Sequence, residues 1–131
     1  MADVVPLGGP RVRRDGHDLR PLLVRGELGD QAIDRVQCTD FLRRFPSWGR
    51  YGLSAYQADD LADVDRLGAD QLERFATLSV FSVSTLVSAG FEVVPTFRRP
   101  HMTVAFTGDI DERLLAFANL RIEVRTNPYH R

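Results

Sequence analysis

The sequence has no lysine, one cysteine and almost no net charge, because seventeen arginines face eighteen acidic residues. A single cysteine excludes an intramolecular disulfide and any cysteine-based zinc site. A formal charge of -1 gives no overall field that would attract a nucleic acid or a membrane surface. No apolar run reaches membrane-spanning length and no signal-peptide pattern is present, so we expect a cytoplasmic protein without a membrane partner.

The length of 131 residues is that of a single domain. Alternating apolar residues predict strands at 20–26, 50–57, 78–81, 91–97, 101–106 and 120–125, and helical spacing with capping residues predicts helices at 30–44, 59–67, 84–90 and 111–119, with a further helical turn at 70–75. This order predicts an α+β fold, with a mixed, mainly antiparallel sheet of about five to six strands packed against three to four helices. Residues 1–10, rich in proline and glycine, are expected to form an arm.

Charge is distributed unevenly along the chain. Arginines dominate both ends, while residues 59–70 are strongly acidic. Such runs usually mark solvated faces. The alternative is a basic cleft where the two chain ends meet at the strand 101–106.

One stretch, Thr96–Phe106, combines the residue types that handle phosphates and protons. On a strand, His101 and Thr103 point to one side, while Met102, Val104 and Phe106 point to the other side and into the core. Arginines 98 and 99 come just before them. We predict a catalytic site made of His101, Arg98, Arg99 and Thr103. His101-Met102-Thr103 also matches the H-x-T motif of two-histidine phosphoesterases, but those enzymes need two copies and the chain has one.

These residues suit cleavage of RNA without a metal or other cofactor. Histidine titrates near neutrality and can move the proton of a ribose hydroxyl, arginines can neutralise charge on phosphorus, and Thr103 can orient the histidine. None of the three histidines forms an H-x-x-x-H pair, so we expect no metal site. The predicted substrate-binding residues are Arg25, Ser54, Arg121, Tyr129 and His130. In the competing interpretation, His101 is an ordinary strand residue and the arginines form a solvated turn.

Two other functions stay open. Arg25, Ser54 and Glu123, in this order, resemble the Arg–Ser–Glu pattern of ADP-ribosyltransferases, in which arginine and serine hold NAD and glutamate directs transfer. The serine motif here lacks the S-T-S of that family. The third hypothesis is a non-catalytic binding module, with the acidic helix 59–67 facing a basic partner.

The favoured hypothesis is a ribonuclease of the kind found as the toxin of a toxin–antitoxin pair. This analogy rests on the size of the chain. It predicts RNA as substrate and an antitoxin-like protein as partner, and it leaves room for a homo-oligomer.

Overall fold

The computed structural model describes residues 9–13 and 20–131, so most of the predicted N-terminal arm lies outside the described residues. The strands are β1 (Leu22–Gly26), β2 (Tyr51–Ala58), β3 (Thr77–Ser82), β4 (Glu92–Pro95), β5 (His101–Phe106) and β6 (Arg121–Thr126), and the helices are α1 (Gln31–Arg44), α2 (Leu61–Ala69), α3 (Val83–Ser88) and α4 (Ile110–Asn119). The predicted α+β class is confirmed.

The strands of the described residues form one sheet in the order β4-β5-β2-β1-β3-β6. Every pairing between these strands is antiparallel, which agrees with the predicted mainly antiparallel sheet. The hairpin predicted across Arg98-Arg99-Pro100 joins β4 to β5, with Val93 opposite Val104. β4 and β6 therefore lie at opposite edges of the sheet.

The core lies on both faces of this sheet, because β-strand side chains alternate between faces. The larger cluster contains Leu53, Met102, Val104 and Phe106 with residues of α3 and α4. The smaller cluster lies on the other face, where Val64 and Leu67 of α2 pack against β1 and β3. On that second face α2 covers the β1–β3 side, and His101 lies beyond it on β5.

The helices begin at side chains that accept a hydrogen bond from the first turn. Asp30, Asp60 and Asp109 cap α1, α2 and α4. The cap of α3 is Ser82, and the helix begins at Val83, one residue before the predicted start at 84. The predicted helical turn at 70–75 is a series of turns.

Strands β1 and β2 pair only from Leu22–Ala58 to Val24–Tyr56 and then diverge. Beyond that point, the side chains of Arg25 and Gln37 replace the missing ladder partners of Ser54. Arg25 donates to the Ser54 carbonyl at 2.6 Å, and the Gln37 side-chain oxygen accepts from the Ser54 N–H at 3.0 Å. Helix α1 is thereby tied to the place where the two strands separate.

The segment Gly9–Arg13 crosses the β4–β5 hairpin near its turn. Val12 forms an isolated antiparallel bridge with Thr96. The Arg13 N–H donates to the Pro95 carbonyl at 2.8 Å, and the Phe97 N–H donates to the Arg11 carbonyl at 2.9 Å. The basic N-terminal segment therefore lies beside His101.

Candidate functional site

Both ring nitrogens of His101 lie at hydrogen-bond distance from hydroxyl groups. Nε2 is 3.1 Å from Oγ of Ser54 on β2, and Nδ1 is 3.0 Å from Oγ1 of Thr96 at the end of the hairpin. Ser54 is exposed, whereas the Thr96 side chain is fully buried. The imidazole thus joins a surface hydroxyl to an internal one.

A second threonine completes this chain of polar groups. Oγ1 of Thr103 lies 2.7 Å from Oγ1 of Thr96, and Thr103 is also buried. Because Ser54 pairs with Thr103 in the β2–β5 ladder, the residues predicted from the strand pattern come together on one face. Thr103 reaches the histidine through Thr96 and so acts as a positioning group.

Two aromatic rings surround the imidazole. The rings of Tyr56 and Phe97 meet it edge-on, with centroids 5.4 Å and 5.1 Å away. Burial lowers the pKa of His101, and the positive charge of Arg13 lowers it further, while a hydrogen bond to the backbone of Thr96 opposes the shift. At neutral pH, His101 is therefore an uncharged imidazole able to accept a proton.

The turn before His101 has an unusual backbone conformation. Phe97 adopts a φ of 56°, the left-handed region that bulky residues rarely occupy. Such a conformation costs about 1–3 kcal/mol and persists only where the surroundings impose it. Here the Arg11 carbonyl holds the Phe97 N–H, so the N-terminal segment fixes the aromatic wall of the site.

Arginines 98 and 99 lie at the mouth of the site. They are exposed and line, with Tyr56, Phe97 and His101, a pocket of about 270 Å³. The guanidinium-bearing turn and the imidazole therefore border one space. This combination suits an anionic ligand with flat aromatic parts.

An apolar groove of about 380 Å³ adjoins this pocket along α1. Phe97 borders both spaces, and the polar lining of the groove includes Ser54 and Thr103 of the sheet together with Gln37, Asp40 and Arg44. Ile33 and Val36 of α1 line the groove while remaining 44% and 59% exposed. The site thus has a charged part at the hairpin turn and an apolar part beside α1.

Other predicted binding residues lie elsewhere. Arg25 and Arg121 line a separate pocket of about 220 Å³ next to Phe117 of α4. Tyr129 and His130 follow the far-edge strand β6. Strand β6 lies four positions from β5, which at about 4.8 Å per strand is about 19 Å. Arg25, Arg121, Tyr129 and His130 are not among the residues that line the pocket beside His101.

Arg25 is 8% exposed and already has several partners. Its guanidinium donates to Asp34 at 2.6 Å as well as to Gln37 and the Ser54 carbonyl. Burial lowers the pKa of Arg25, and the charge of Asp34 opposes the shift. These contacts give Arg25 a structural role in attaching α1.

The Arg25–Ser54–Glu123 set is not assembled in one place. Arg25 reaches the backbone of Ser54, while the Ser54 hydroxyl faces His101. Glu123 is on β6, three positions from β2 in the sheet, which at about 4.8 Å per strand is about 14 Å. The three residues that resemble the Arg–Ser–Glu pattern of ADP-ribosyltransferases are therefore spread over the sheet.

Sequence patterns alone missed Tyr56, Thr96, Phe97 and the groove beside α1. The hairpin prediction contained a signal for Thr96, since pairing across Arg98-Arg99-Pro100 places it opposite His101. The conformation of Phe97 has no sequence signal, because it depends on the N-terminal segment that crosses it.

Within residues 9–13 and 20–131, no cluster of three or more His, Cys, Asp or Glu side chains could hold a metal ion. Over the same residues, every helix is too short or too polar to cross a lipid bilayer. Comparisons with protein-family models, curated proteins and solved structures found no match. The functional argument therefore rests on the geometry around His101.

Proposed function

We propose that the chain is a metal-independent ribonuclease in which His101 removes the proton of a ribose 2′-hydroxyl. The observation that carries the proposal is the neutral imidazole held between Thr96 and Ser54 beside two arginines. An uncharged histidine with one nitrogen fixed and the other directed at a surface hydroxyl is arranged as a general base.

In this mechanism, the substrate 2′-hydroxyl takes the place of the Ser54 hydroxyl at Nε2. Deprotonated O2′ attacks the adjacent phosphorus, the bond to the 5′ oxygen breaks, and a 2′,3′-cyclic phosphate forms. Arg98 and Arg99 stabilise the negative charge that builds up on the phosphorane oxygens. Thr96 and Thr103 keep the imidazole in position.

The departing 5′ oxygen needs a proton. Tyr56 carries a phenolic O–H donor and lines the same pocket, with its ring against His101. We assign it as the proton donor. The ring faces of Tyr56 and Phe97 also provide surfaces on which bases can stack. The groove beside α1 gives room for a neighbouring base.

The test is cleavage of a short RNA in the presence of a chelator. His101→Gln and the double variant Arg98→Gln/Arg99→Gln are expected to lose activity about 100-fold or more, since general acid–base and electrostatic groups contribute on that scale. His130→Gln is the matched control, because His130 is exposed and lies beyond the far-edge strand. A substrate with a 2′-deoxy sugar at the cleaved position should resist.

Full activity in His101→Gln, or activity only with an added divalent metal, would refute the proposal. RNA binding without turnover would favour the non-catalytic binding module. NAD consumption that is lost in Arg25→Ala or Glu123→Ala would favour ADP-ribosyl transfer instead.

The biological setting we propose is that of a toxin neutralised by a protein partner that covers the basic surface around His101. Arg11, Arg98 and Arg99 are exposed there and would attract an acidic partner. Expression in a bacterial host should arrest growth, and His101→Gln should relieve the arrest. Unimpeded growth with active, soluble protein would contradict the toxin role and leave the nuclease mechanism standing.

A further inference from the structure

The two edge strands of the sheet, β4 and β6, differ in how far other segments of the chain cover them. β4 is short, and the Gly9–Arg13 segment bridges the chain at its end through Val12 and Thr96. β6 has six residues, and none of the strands in the described part of the chain pairs with its outer side. Its alternate side chains Ile122 and Val124 are 58% and 51% exposed. An open strand edge with apolar side chains is a template for pairing with another chain.

The backbone groups that face outward can be identified. The Asn127 N–H donates to the Ala76 carbonyl at 2.8 Å, one step beyond the pair Thr126–Thr77. In an antiparallel ladder, the backbone N–H and C=O groups of every second residue point to the same neighbouring strand. The backbone groups of Arg125 and Glu123 therefore face β3, as the Asn127 N–H does. The N–H and C=O groups of Val124 and Thr126 therefore point away from the sheet.

The sequence of β6 is complementary to itself in the antiparallel register centred on Val124. A two-fold axis at Val124 places Val124 opposite its own copy and Glu123 opposite Arg125 of the second copy. An axis at Glu123 would instead place Glu123 opposite Glu123 and Arg121 opposite Arg125 of the second copy, which is unfavourable. The register with β3 shifts at Val80–Phe81, so Glu123–Thr126 is the regular part that this pairing uses.

The ion pairs of these charged residues within one chain are long. Arg125 lies 3.5 Å from Asp65 and 3.6 Å from Glu123. Both side chains can therefore engage a second copy without breaking a close ion pair. The charge pattern favours self-pairing over an unrelated strand. On each side of the two-fold axis, Glu123 of one copy faces Arg125 of the other copy.

We propose that the chain forms a symmetric homodimer by antiparallel pairing of β6 with β6 of a second copy, centred on Val124. The two six-stranded sheets become one continuous sheet. This proposal goes beyond the ribonuclease function and does not depend on it. The His101 sites lie near the outer ends of the joined sheet and remain open.

Light scattering on the purified full chain should give twice the 14.8 kDa mass of one chain. Val124→Asp should weaken dimerisation about tenfold or more, because two like charges then meet at the axis. Val87→Asp is the matched control: Val87 on α3 is also 51% exposed and should leave the dimer intact. Val124→Pro should also give monomers while remaining folded, because it removes an outward N–H that β3 does not use.

A charge exchange tests the register itself. Glu123→Arg and Arg125→Glu should each weaken the dimer, and the double variant should recover it, since the opposite charges again face each other. An axis at Ile122 predicts no recovery, because Arg121 would then face the new arginine. Circular dichroism checks that each variant is folded.

A monomeric wild-type chain at the highest attainable concentration would overturn the proposal. A dimer that persists in folded Val124→Asp and Val124→Pro would also overturn it, because the interface would then lie elsewhere. Loss of the dimer in Val87→Asp would have the same consequence.

Discussion

The Ser54 hydroxyl lies 3.1 Å from Nε2 of His101, although the two residues are not directly opposite in the β2–β5 ladder. Ser54 faces Thr103, and His101 faces Tyr56. The contact is therefore diagonal, and the imidazole leans along the sheet toward Ser54. Thr96 holds the other ring nitrogen, so the ring orientation is fixed from both sides.

The pH dependence of activity should report the lowered pKa of His101. Burial, and then the charge of Arg13, disfavour the imidazolium, so the base form persists below the ordinary pKa of 6.5. Arg13→Gln should move the acid limb of the rate profile to higher pH, because one of the charges that opposes protonation is removed. The exposed Arg43 is the control, and Arg43→Gln should leave the limb in place. An unmoved limb in Arg13→Gln would contradict this account.

The same pKa shift links stability to pH. The unfolded chain binds the histidine proton at about its ordinary pKa of 6.5, and the folded chain binds it at lower pH. The free energy of unfolding should therefore fall as the pH drops from 6.5 toward the folded pKa. Chemical denaturation at several pH values measures this slope. His101→Gln should flatten it, and an unchanged slope would exclude His101 as its source.

Replacing Arg25 should destabilise the protein. Arg25→Ala leaves Asp34 without its buried partner and uncovers the Ser54 carbonyl, which we expect to cost about 3 kcal/mol. Arg35→Ala, which removes an exposed ion pair with Asp111, should cost less than about 1 kcal/mol. Urea denaturation compares the two. Equal losses would show that Arg25 does not anchor α1.

Asn127 is the hydrogen-bonding centre of the chain's C-terminal turn. Its side-chain amide donates to the carbonyls of Gly68, Leu72 and Phe75 at 3.0, 3.1 and 3.0 Å, and it is buried. Asn127→Asp places a carboxylate against these carbonyls and should destabilise the fold by about 3 kcal/mol. Asn119→Asp, at an exposed position at the end of α4, is the control and should change the melting temperature little.

Cys38 should be unreactive in the folded protein. Burial raises the pKa of its thiol to about 12, so little thiolate forms at neutral pH. A thiol reagent should label Cys38 at the rate at which α1 opens, and rapidly in denaturant. Arg25→Ala should accelerate labelling of the native protein because it loosens α1. Prompt labelling of the wild-type native chain would contradict the burial of the thiol.

Much of the fold could be predicted because local patterns agreed with the tertiary structure. The alternation of Met102, Val104 and Phe106 fixed the buried face of β5, and Asp30 and Asp60 marked helix starts. Helix 84–90 was shifted because Ser82 and Ser84 are both competent caps, and the choice depends on where β3 ends.

The site was partly predictable for the same reason. His101, Thr103 and the two arginines are close in sequence, and the hairpin brings them together. Arg25 and Arg121 were assigned to the site by residue type, but their faces and strand positions depend on the order β2-β1-β3-β6, which local patterns do not encode. Strand pairing between distant segments is a tertiary property.

Polar contacts contribute to the attachment of helix α1 to the sheet. Cys38 is its only fully buried residue, while Arg25, Asp34 and Gln37 supply polar ties at the point where β1 and β2 diverge. Hydrogen bonds and ion pairs of this kind can be replaced by contacts with water more readily than apolar packing can. We therefore expect the α1 wall of the groove beside His101 to open locally while the sheet stays intact.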